Sequence, residues 1–340
     1  MKTFVIAEIG VNHNGSLDLA LKLIDEAAKA GAQAAKFQSF TADTIVTPNT
    51  DTVGYQKASG AEDQHAMLRA LELSDEDHRL LAAHCEACGI EFMSTAFDSR
   101  SLNLLCDIGV KRIKIPSGEI TNIPYLQDCA SRGLPIILST GMADLEEVKE
   151  AATLISQVQL NRDIEHPALT VLHCTSAYPT AVDDVNLLAM QTLARELRLP
   201  VGYSDHTDGI FAAPIAVALG AQVIEKHVTL DRTMKGPDHA ASIEPHELAN
   251  MITAIDTVET LLGDGVKQPR PSEFEARRLV RRGLKAARPL PAGTILTAGD
   301  VSVLRPATGL APKYYATVVG SRTTRELGLG EPIELSDLER

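Results

Sequence analysis

Short apolar runs alternate with amphipathic stretches between residues 4 and 262 of the chain. Each apolar run is bounded by turn residues, which is typical of strands that are buried in a parallel sheet. We predict eight such strands, at residues 4–9, 34–38, 91–94, 112–116, 135–139, 170–174, 200–203 and 223–226.

A helical pattern follows nearly every predicted strand, most clearly at residues 16–30, 185–197 and 245–262. In the first of these, Leu17, Leu21 and Ile24 share one face and Gly31 can end the helix. Eight β/α units in succession predict a closed (β/α)8 TIM barrel. An open doubly wound sheet is the alternative, but the loop at residues 10–15 lacks the G-x-G-x-x-G fingerprint of many such sheets.

The pattern changes after Gly263, where the helical periodicity ends. We predict a catalytic barrel at residues 1–264, a linker at 265–280 and a small β-rich domain at 281–340, because the last segment consists of short β-like pieces separated by turns. A domain of this size has a marginal core, so packing against another surface would stabilise it.

Composition narrows the class of protein. The 340 residues are 44% hydrophobic and 23% charged, which is ordinary for a soluble globular protein. The net charge of −13 argues against a nucleic-acid partner, so an anionic substrate would depend on a few local Lys and Arg residues. No apolar run is long enough to span a membrane and no signal peptide is recognisable, which predicts a cytoplasmic protein without a membrane partner.

The five cysteines form an odd number, which predicts reduced thiols. Cys85 and Cys88 form a C-x-x-C beside His84, within a helical pattern. No second ligand pair follows at zinc-finger spacing, so we predict a structural role for these residues.

Two histidines stand at the ends of the last two predicted strands. If these strands are parallel neighbours, His206 and His227 reach matching ends and can face one ion. Imidazole nitrogen suits Mn, Fe, Co and Zn ions. The alternative is that one of the two histidines is a packed core residue.

Polar side chains collect at the carboxyl ends of all eight predicted strands, where TIM barrels carry out chemistry. Lys36 and Lys114 are costly to bury unless an acid or an anion pairs with them. Glu8 and Glu119 are candidates for proton transfer or water activation, or alternatively for internal ion pairs with these lysines. Hydroxyl groups beside glycines suit phosphate and carboxylate oxygens; they belong to Thr95, Ser117, Ser139 and Ser204.

One connection, residues 40–73, is too long for a plain βα loop. Long ordered loops in barrels are often lids, and Tyr55 and Gln56 could reach a substrate from this one.

At these positions the chain resembles the sialic acid synthase family, whose members condense phosphoenolpyruvate (PEP) with an N-acetylated amino sugar. The matching pieces, in order, are AEIGVNHNG, AAKFQ, STAFD, KIPSGE, ILSTGM, LHCTSAYPT, GYSDHT, EKHVT and GPDHAAS. The tail resembles the antifreeze-like (SAF) domain of that family. KFQSF, AMLRALELS and IPSGEITNIPYL look more like the bacterial legionaminic acid synthases than the N-acetylneuraminate synthases.

The resemblance implies a role for each site residue. His206 and His227 would hold a divalent ion, Mn²⁺ first, with Mg²⁺ and Co²⁺ as alternatives. Glu119 and Glu8 would be catalytic. The residues that would bind PEP are Lys36, Thr95, Lys114, Ser117, Ser139, Ser176 and Ser204. The residues that would bind the sugar are Gln38, Tyr178, Asp238 and, from the partner subunit of a domain-swapped homodimer, Arg305.

Three other functions stay open from the sequence. A PEP-dependent aldolase that acts on a phosphorylated sugar would need further basic residues. A non-catalytic carbohydrate-binding protein built on the tail would not need the histidines, and a metal-dependent hydrolase would show more metal ligands. The identity of the amino sugar, N-acetylmannosamine or 2,4-diacetamido-2,4,6-trideoxymannose, also stays open.

Overall fold

The computed structural model describes residues 2–47, 50, 63–162 and 168–339. Tyr55 and Gln56, suggested above as lid residues, lie outside this part of the chain. Contacts divide the chain into two compact units, Met1–Gly263 and Asp264–Arg340. Each unit is described by itself below.

The first unit is a closed barrel of parallel strands that pair in chain order, with β8 returning to β1. This confirms the predicted TIM barrel, and each predicted strand overlaps an observed one. The strands are β1 (Phe4–Gly10), β2 (Ala34–Ser39), β3 (Glu91–Ala96), β4 (Ile113–Ile115), β5 (Ile136–Ser139), β6 (Leu169–Cys174), β7 (Val201–Asp205) and β8 (Val223–His227).

Helices follow the strands around the barrel. They are α1 (Leu17–Ala30), α2 (Ala42–Ile45), α3 (Gln64–Ala70), α4 (Asp75–Cys88), α5 (Ser99–Ile108), α6 (Ile123–Ala130), α7 (Leu145–Leu160), α8 (Leu188–Leu197), α9 (Ala212–Ala218) and α10 (Pro245–Leu262). As predicted, α1 ends at Gly31, whose φ of 91° favours glycine. The predicted helix at 185–197 begins later, at Leu188, because residues 182–184 form a 3-10 turn first.

The barrel interior changes from apolar to polar along the strands. Its lower layer is an apolar cluster of Ile6, Ala34, Met93, Ile137, Leu172 and Val223. Side chains two residues further along a strand point the same way. The next inward-facing layer therefore consists of Glu8, Lys36, Thr95, Ser139, Cys174 and Glu225. Because side chains alternate along each strand, the charged groups lie directly above this apolar layer.

A buried ion pair lies on the opposite face of the last two strands. The Lys226 ammonium donates hydrogen bonds to Asp205 Oδ2 (2.9 Å) and to the Thr207 carbonyl oxygen (2.6 Å). Both charged side chains are 0% exposed. Lys226, a strand-end polar residue like the two histidines, therefore belongs to the structure of the barrel wall.

We expect Lys226→Met to lower the free energy of unfolding of the barrel by about 3–5 kcal/mol, because it leaves the Asp205 carboxylate buried and unpaired. Denaturant unfolding followed by circular dichroism measures this loss. The double variant Lys226→Met/Asp205→Asn should recover at least half of it, since the stranded charge is removed. A loss below about 1 kcal/mol for the single variant would contradict the assignment.

The second unit contains two antiparallel strand pairs, of which the first joins β9 (Gly283–Ala286) to β10 (Val301–Leu304) and the second joins β11 (Arg322–Thr323) to β12 (Leu338–Glu339). Its small core contains Leu284, Ala286, Leu290, Leu296, Val301, Val318, Leu327 and Ile333. This agrees with the predicted small β-rich domain. Its helices are α11 (Phe274–Val280), within the predicted linker, and α12 (Tyr315–Val318).

Short 3-10 turns complete the two units. They lie at Ser117–Glu119, Val182–Asp184, His239–Ala241, Pro271–Glu273, Ala298–Asp300, Pro312–Tyr314 and Leu335–Asp337. No helix in the described ranges is both long and apolar enough to cross a membrane.

Candidate active site

One cavity of about 450 Å³ opens at the carboxyl ends of the barrel strands. Every site residue predicted in the barrel lines it: Glu8, Lys36, Gln38, Thr95, Lys114, Ser117, Glu119, Ser139, Ser176, Tyr178, Ser204, His206, His227 and Asp238. Arg305 lies in the second unit, where it is exposed just after β10. Because all eight parallel strands end on the same side of the barrel, residues far apart in sequence meet in this one cavity.

Two lysines and two glutamates form a buried charge cluster at the floor of this cavity. The Lys36 ammonium forms a close ion pair with Glu8 and lies 3.5 Å from Glu225 Oε2. Lys114 Nζ lies 3.5 Å from Glu225 Oε1 and donates a hydrogen bond to Ser139 Oγ (2.7 Å). Glu225 therefore bridges the two lysines.

Glu225 is the main site residue that the sequence-based prediction missed. A usable signal was present, because Glu225 stands two residues before His227 and so points to the same side of β8. Glu119, suggested as an alternative partner for the lysines, instead accepts a hydrogen bond from Asn122 Nδ2 (2.6 Å).

The two carboxyls of the cluster differ in their affinity for protons. Burial raises the pKa of Glu8 to about 7, and the neighbouring Glu225 adds to this rise while Lys36 opposes it. Burial would also raise the pKa of Glu225, but Lys114 and Lys36 outweigh it and lower that pKa to about 2. Glu225 thus keeps its charge, and Glu8 is the carboxyl that can gain or lose a proton near neutral pH.

His206 and His227 lie side by side at the cavity, with ring centroids 5.6 Å apart. His206 Nδ1 lies 2.7 Å from the Thr175 carbonyl oxygen, so Nδ1 carries the proton and Nε2 keeps its lone pair. His227 Nδ1 is buried and has no hydrogen-bond partner among the described residues; it lies 3.7 Å from Asp238 Oδ2.

Both imidazoles are suited to bind a metal ion. Burial lowers the pKa of His206, and burial together with the neighbouring His206 lowers the pKa of His227 further. Neutral rings with an available nitrogen are the form in which histidine binds metals. Among the described residues that line this cavity, no three ligand atoms of His, Cys, Asp or Glu all lie within 4.8 Å of one another. Two histidines would thus leave coordination positions open for other ligands.

A cradle of small polar groups surrounds Gly141. The Gly141 N–H donates to Ser117 Oγ (2.9 Å), and Ser117 Oγ lies 3.3 Å from Cys174 Sγ. A Cβ at position 141 would lie 3.0 Å from Ser117 Oγ and 3.1 Å from Cys174 Sγ, and would overlap the Ser176 hydroxyl. Glycine is therefore required for these groups to converge, and the cradle together with Lys114 suits an oxyanion.

The outer part of the cavity combines polar residues with an apolar wall. Tyr178 lies against both histidine rings, with its ring centroid 4.2 Å from that of His206. Burial raises the pKa of Asp238 to about 6. The apolar wall, which was not foreseen, consists of Val11, Phe40, Ile45, Val46, Met67, Leu68, Leu71 and Phe97.

Comparisons with known proteins show the family to which this chain belongs. Residues 23–267 match the NeuB family and residues 281–339 match the SAF domain. The chain is 50% identical to the N,N'-diacetyllegionaminic acid synthase of Legionella pneumophila, covering 100% of this chain and 95% of the relative. It is 45% identical to the protein of the same name from Campylobacter jejuni, covering 95% and 96% of the two chains.

A solved structure gives the same result for the fold. The crystal structure of N-acetylneuraminic acid (sialic acid) synthetase from Leptospira borgpetersenii, in complex with citrate, aligns with a TM-score of 0.72 at 38% identity. The alignment covers 81% of this chain and 90% of that one. The predicted resemblance, including the SAF domain, is confirmed.

Proposed function

The chain belongs to the NeuB family, and from this premise we propose that it is a nonulosonic acid synthase that makes N,N'-diacetyllegionaminic acid. It condenses PEP and water with 2,4-diacetamido-2,4,6-trideoxymannose and releases phosphate. The main support for this proposal is that two neutral histidines and two buried lysines line the same cavity. An electrophile and an anionic nucleophile can meet there.

His206 and His227 would hold a divalent cation, Mn²⁺ first, with Mg²⁺ and Co²⁺ as alternatives. When bound, such a cation polarises the aldehyde oxygen of the sugar. The hydrogen bond to the Thr175 carbonyl oxygen orients the His206 ring before any ligand arrives.

PEP would be held by the floor and the cradle. Lys36 and Lys114 offset the charge of its carboxylate and phosphate, and the hydroxyls of Thr95, Ser139 and Ser204 lie beside the charge cluster. Ser117 and Ser176, at Gly141, complete the proposed anion site.

The reaction forms one carbon–carbon bond and one carbon–oxygen bond and breaks one carbon–oxygen bond, and the proton that the water loses is balanced by the proton that the former aldehyde oxygen gains. C3 of PEP attacks the aldehyde carbon and forms the carbon–carbon bond, which leaves positive charge at C2. Water adds at C2, and collapse of the tetrahedral intermediate breaks the bond between C2 and the phosphate oxygen. Glu8 is the better supported group for the proton transfers, since its pKa lies near 7; Glu119, at the rim, remains the second candidate for positioning the water.

The lining of the cavity favours a deoxy, diacetamido sugar. Gln38, Tyr178 and Asp238 supply polar contacts, while the apolar wall suits acetyl methyl groups and a deoxygenated C6. Among the described lining residues the basic side chains are Lys36 and Lys114, which PEP would occupy. In this described lining, a phosphorylated sugar would therefore have no further lysine for its phosphate.

A comparison of the two sugars tests the proposal. Metal-loaded protein with PEP should release phosphate at least about 10-fold faster, in kcat/KM, with 2,4-diacetamido-2,4,6-trideoxymannose than with N-acetylmannosamine, because the apolar wall accepts a methyl group more readily than a hydroxyl. Mass spectrometry of the product identifies the condensation. Equal rates would contradict the sugar assignment, and the absence of phosphate release with either sugar would contradict the synthase assignment.

We also propose that the protein forms a homodimer and is located in the cytoplasm. Met142, Val182 and Phe211, on the loops after β5, β6 and β7, are 76%, 83% and 84% exposed, and such apolar side chains are candidates for burial by a second subunit. All five cysteines are free thiols, consistent with a reducing compartment. We propose that the small domain of the partner subunit brings its Arg305 to the sugar.

Arg305→Ala tests the arrangement. We expect KM for the sugar to rise about 10-fold while KM for PEP changes less than about 2-fold, because the guanidinium would contact the sugar alone. Arg322→Ala, at another exposed arginine of the second unit, is the control and should change neither constant. Equal increases in both KM values would place Arg305 elsewhere, and a monomer in sedimentation velocity would exclude the swapped arrangement.

A further inference from the structure

A mixed cluster of ligand-type side chains joins two helices of the outer layer of the barrel. His84 and Cys88, four residues apart, share one face of α4 and meet Asp25 on α1. His84 Nε2 lies 2.8 Å from Asp25 Oδ1, and Cys88 Sγ lies 3.5 Å from the same oxygen. Within the described ranges this is the one group of three such ligand atoms that all lie within 4.8 Å of one another.

The distances suit a small tetrahedral ion. Bonds of roughly 2.0–2.3 Å to oxygen, nitrogen and sulfur place neighbouring ligand atoms about 3.3–3.7 Å apart. The sulfur-to-oxygen distance already falls in this range, and the nitrogen-to-oxygen distance must open by about 0.5 Å. A half-buried, flexible pair of side chains can make that movement, since Asp25 and His84 are only partly enclosed.

The local charges also suit a cation. Asp25 Oδ1 is the acceptor for both the His84 ring and the Cys88 thiol, so this carboxylate supplies negative charge to the cluster. Lys29, one turn after Asp25 on α1, is already paired with Glu26 (2.6 Å). The last turn of α4 contains no basic residue, although a positive charge near a helix C-terminus is stabilising.

We propose that Asp25, His84 and Cys88 form a second metal site, which binds Zn²⁺ or Co²⁺ in preference to Mn²⁺ or Mg²⁺ and ties α1 to α4. Thiolate and imidazole select borderline-soft ions, whereas Mg²⁺ and Mn²⁺ prefer oxygen ligands. Three protein ligands leave a fourth position for water. Cys85 of the C-x-x-C is buried in the core and is not a ligand of this site.

This second metal site would stabilise the fold and take no part in catalysis, because it lies far from the catalytic cavity. Helix α4 ends at Cys88, just before β3 begins at Glu91, so the cluster lies toward the end of the barrel opposite the cavity. On binding, the Cys88 thiol loses its proton to solvent. His84 remains neutral by carrying its proton on Nδ1, which frees Nε2 for the ion.

Cobalt spectroscopy of the full chain tests the site. After EDTA treatment and dialysis, titration with Co²⁺ should produce a near-ultraviolet thiolate-to-cobalt charge-transfer band with a stoichiometry of one ion. Cys88→Ser should abolish the band and His84→Gln should weaken Co²⁺ binding at this site by at least about 10-fold. Cys106→Ser, a matched half-buried cysteine on α5, should retain the band.

The catalytic histidines provide the second control. The double variant His206→Ala/His227→Ala should retain the band, because the cluster lies outside the catalytic cavity. Zn²⁺ should also raise Tm of this double variant by about 5 °C at saturation, and adding Cys88→Ser to it should abolish this increase.

A measurement on the unmodified protein guards against variants that fail to fold. Zn²⁺ should protect Cys88, and not Cys106, from alkylation, as read from peptide masses. No charge-transfer band in the wild type, or a band that survives Cys88→Ser, would show that the three side chains form only a hydrogen-bonded cluster. None of these readouts requires synthase activity, so the two proposals fail independently.

Discussion

His206→Ala is expected to lower the rate of phosphate release from PEP by about 10³-fold or more, while the protein remains folded. Loss of the imidazole removes one of the two protein ligands that we propose for the cation, whose contribution to such a reaction is several kcal/mol. The variant also lacks the ring that the hydrogen bond to the Thr175 carbonyl oxygen holds in place in the wild type. Metal content measured by mass spectrometry should fall together with turnover.

Another strand-end histidine provides a matched control for this variant. His173 Nε2 lies 2.8 Å from the Val185 carbonyl oxygen and is not a lining residue of the catalytic cavity. His173→Gln can keep that hydrogen bond, so turnover and metal content should stay near the wild-type values. EDTA-treated wild type should be inactive and should recover with Mn²⁺. Undiminished turnover after complete metal removal would contradict the role assigned to both histidines.

Glu225→Gln is the second variant for which we expect a large effect. The change removes the negative charge between Lys36 and Lys114, so the floor becomes more positive. We expect kcat to fall about 10²–10³-fold, because the proton affinity of Glu8 is no longer matched to neutral pH. KM for PEP should not rise, since an anion binds at least as well to the more positive floor.

The pH profile separates this explanation from simple misfolding. Glu225 contributes to the raised pKa of Glu8, whereas Lys36 and Lys114 lower it. Without the Glu225 charge the Glu8 pKa must therefore fall below about 7, and the corresponding limb of the kcat/KM profile should move to lower pH. Glu225→Asp, which keeps the charge, should leave the limb near its wild-type position. If the pH dependence of kcat/KM is the same in Glu225→Gln as in the wild type, Glu8 is not the group whose titration is observed.

The hydrophobic pattern was enough to predict the barrel and its strand ends. Buried parallel strands must be apolar runs, and the helices that cover them must be amphipathic, so periodicity alone yields eight β/α units. The closed topology then places every polar strand end at one mouth, which is why the sequence alone predicts that His206 and His227 lie side by side. The apolar wall could not be read in this way, because its residues lie on the long connection between β2 and β3 and on adjoining loops without a repeating pattern.

The charge cluster depended on three-dimensional packing. Lys36, Lys114 and Lys226 are alike as lysines at strand ends, but Lys226 points outward to Asp205 and the other two point inward to Glu225. Whether a buried carboxyl is protonated depends on the charges that surround it in space, so the opposite pKa shifts of Glu8 and Glu225 had no sequence signature. The amino-acid order thus specified which groups reach the catalytic mouth, since strand alternation is local. Their partners and protonation states required the folded barrel, since strands distant in sequence supply them.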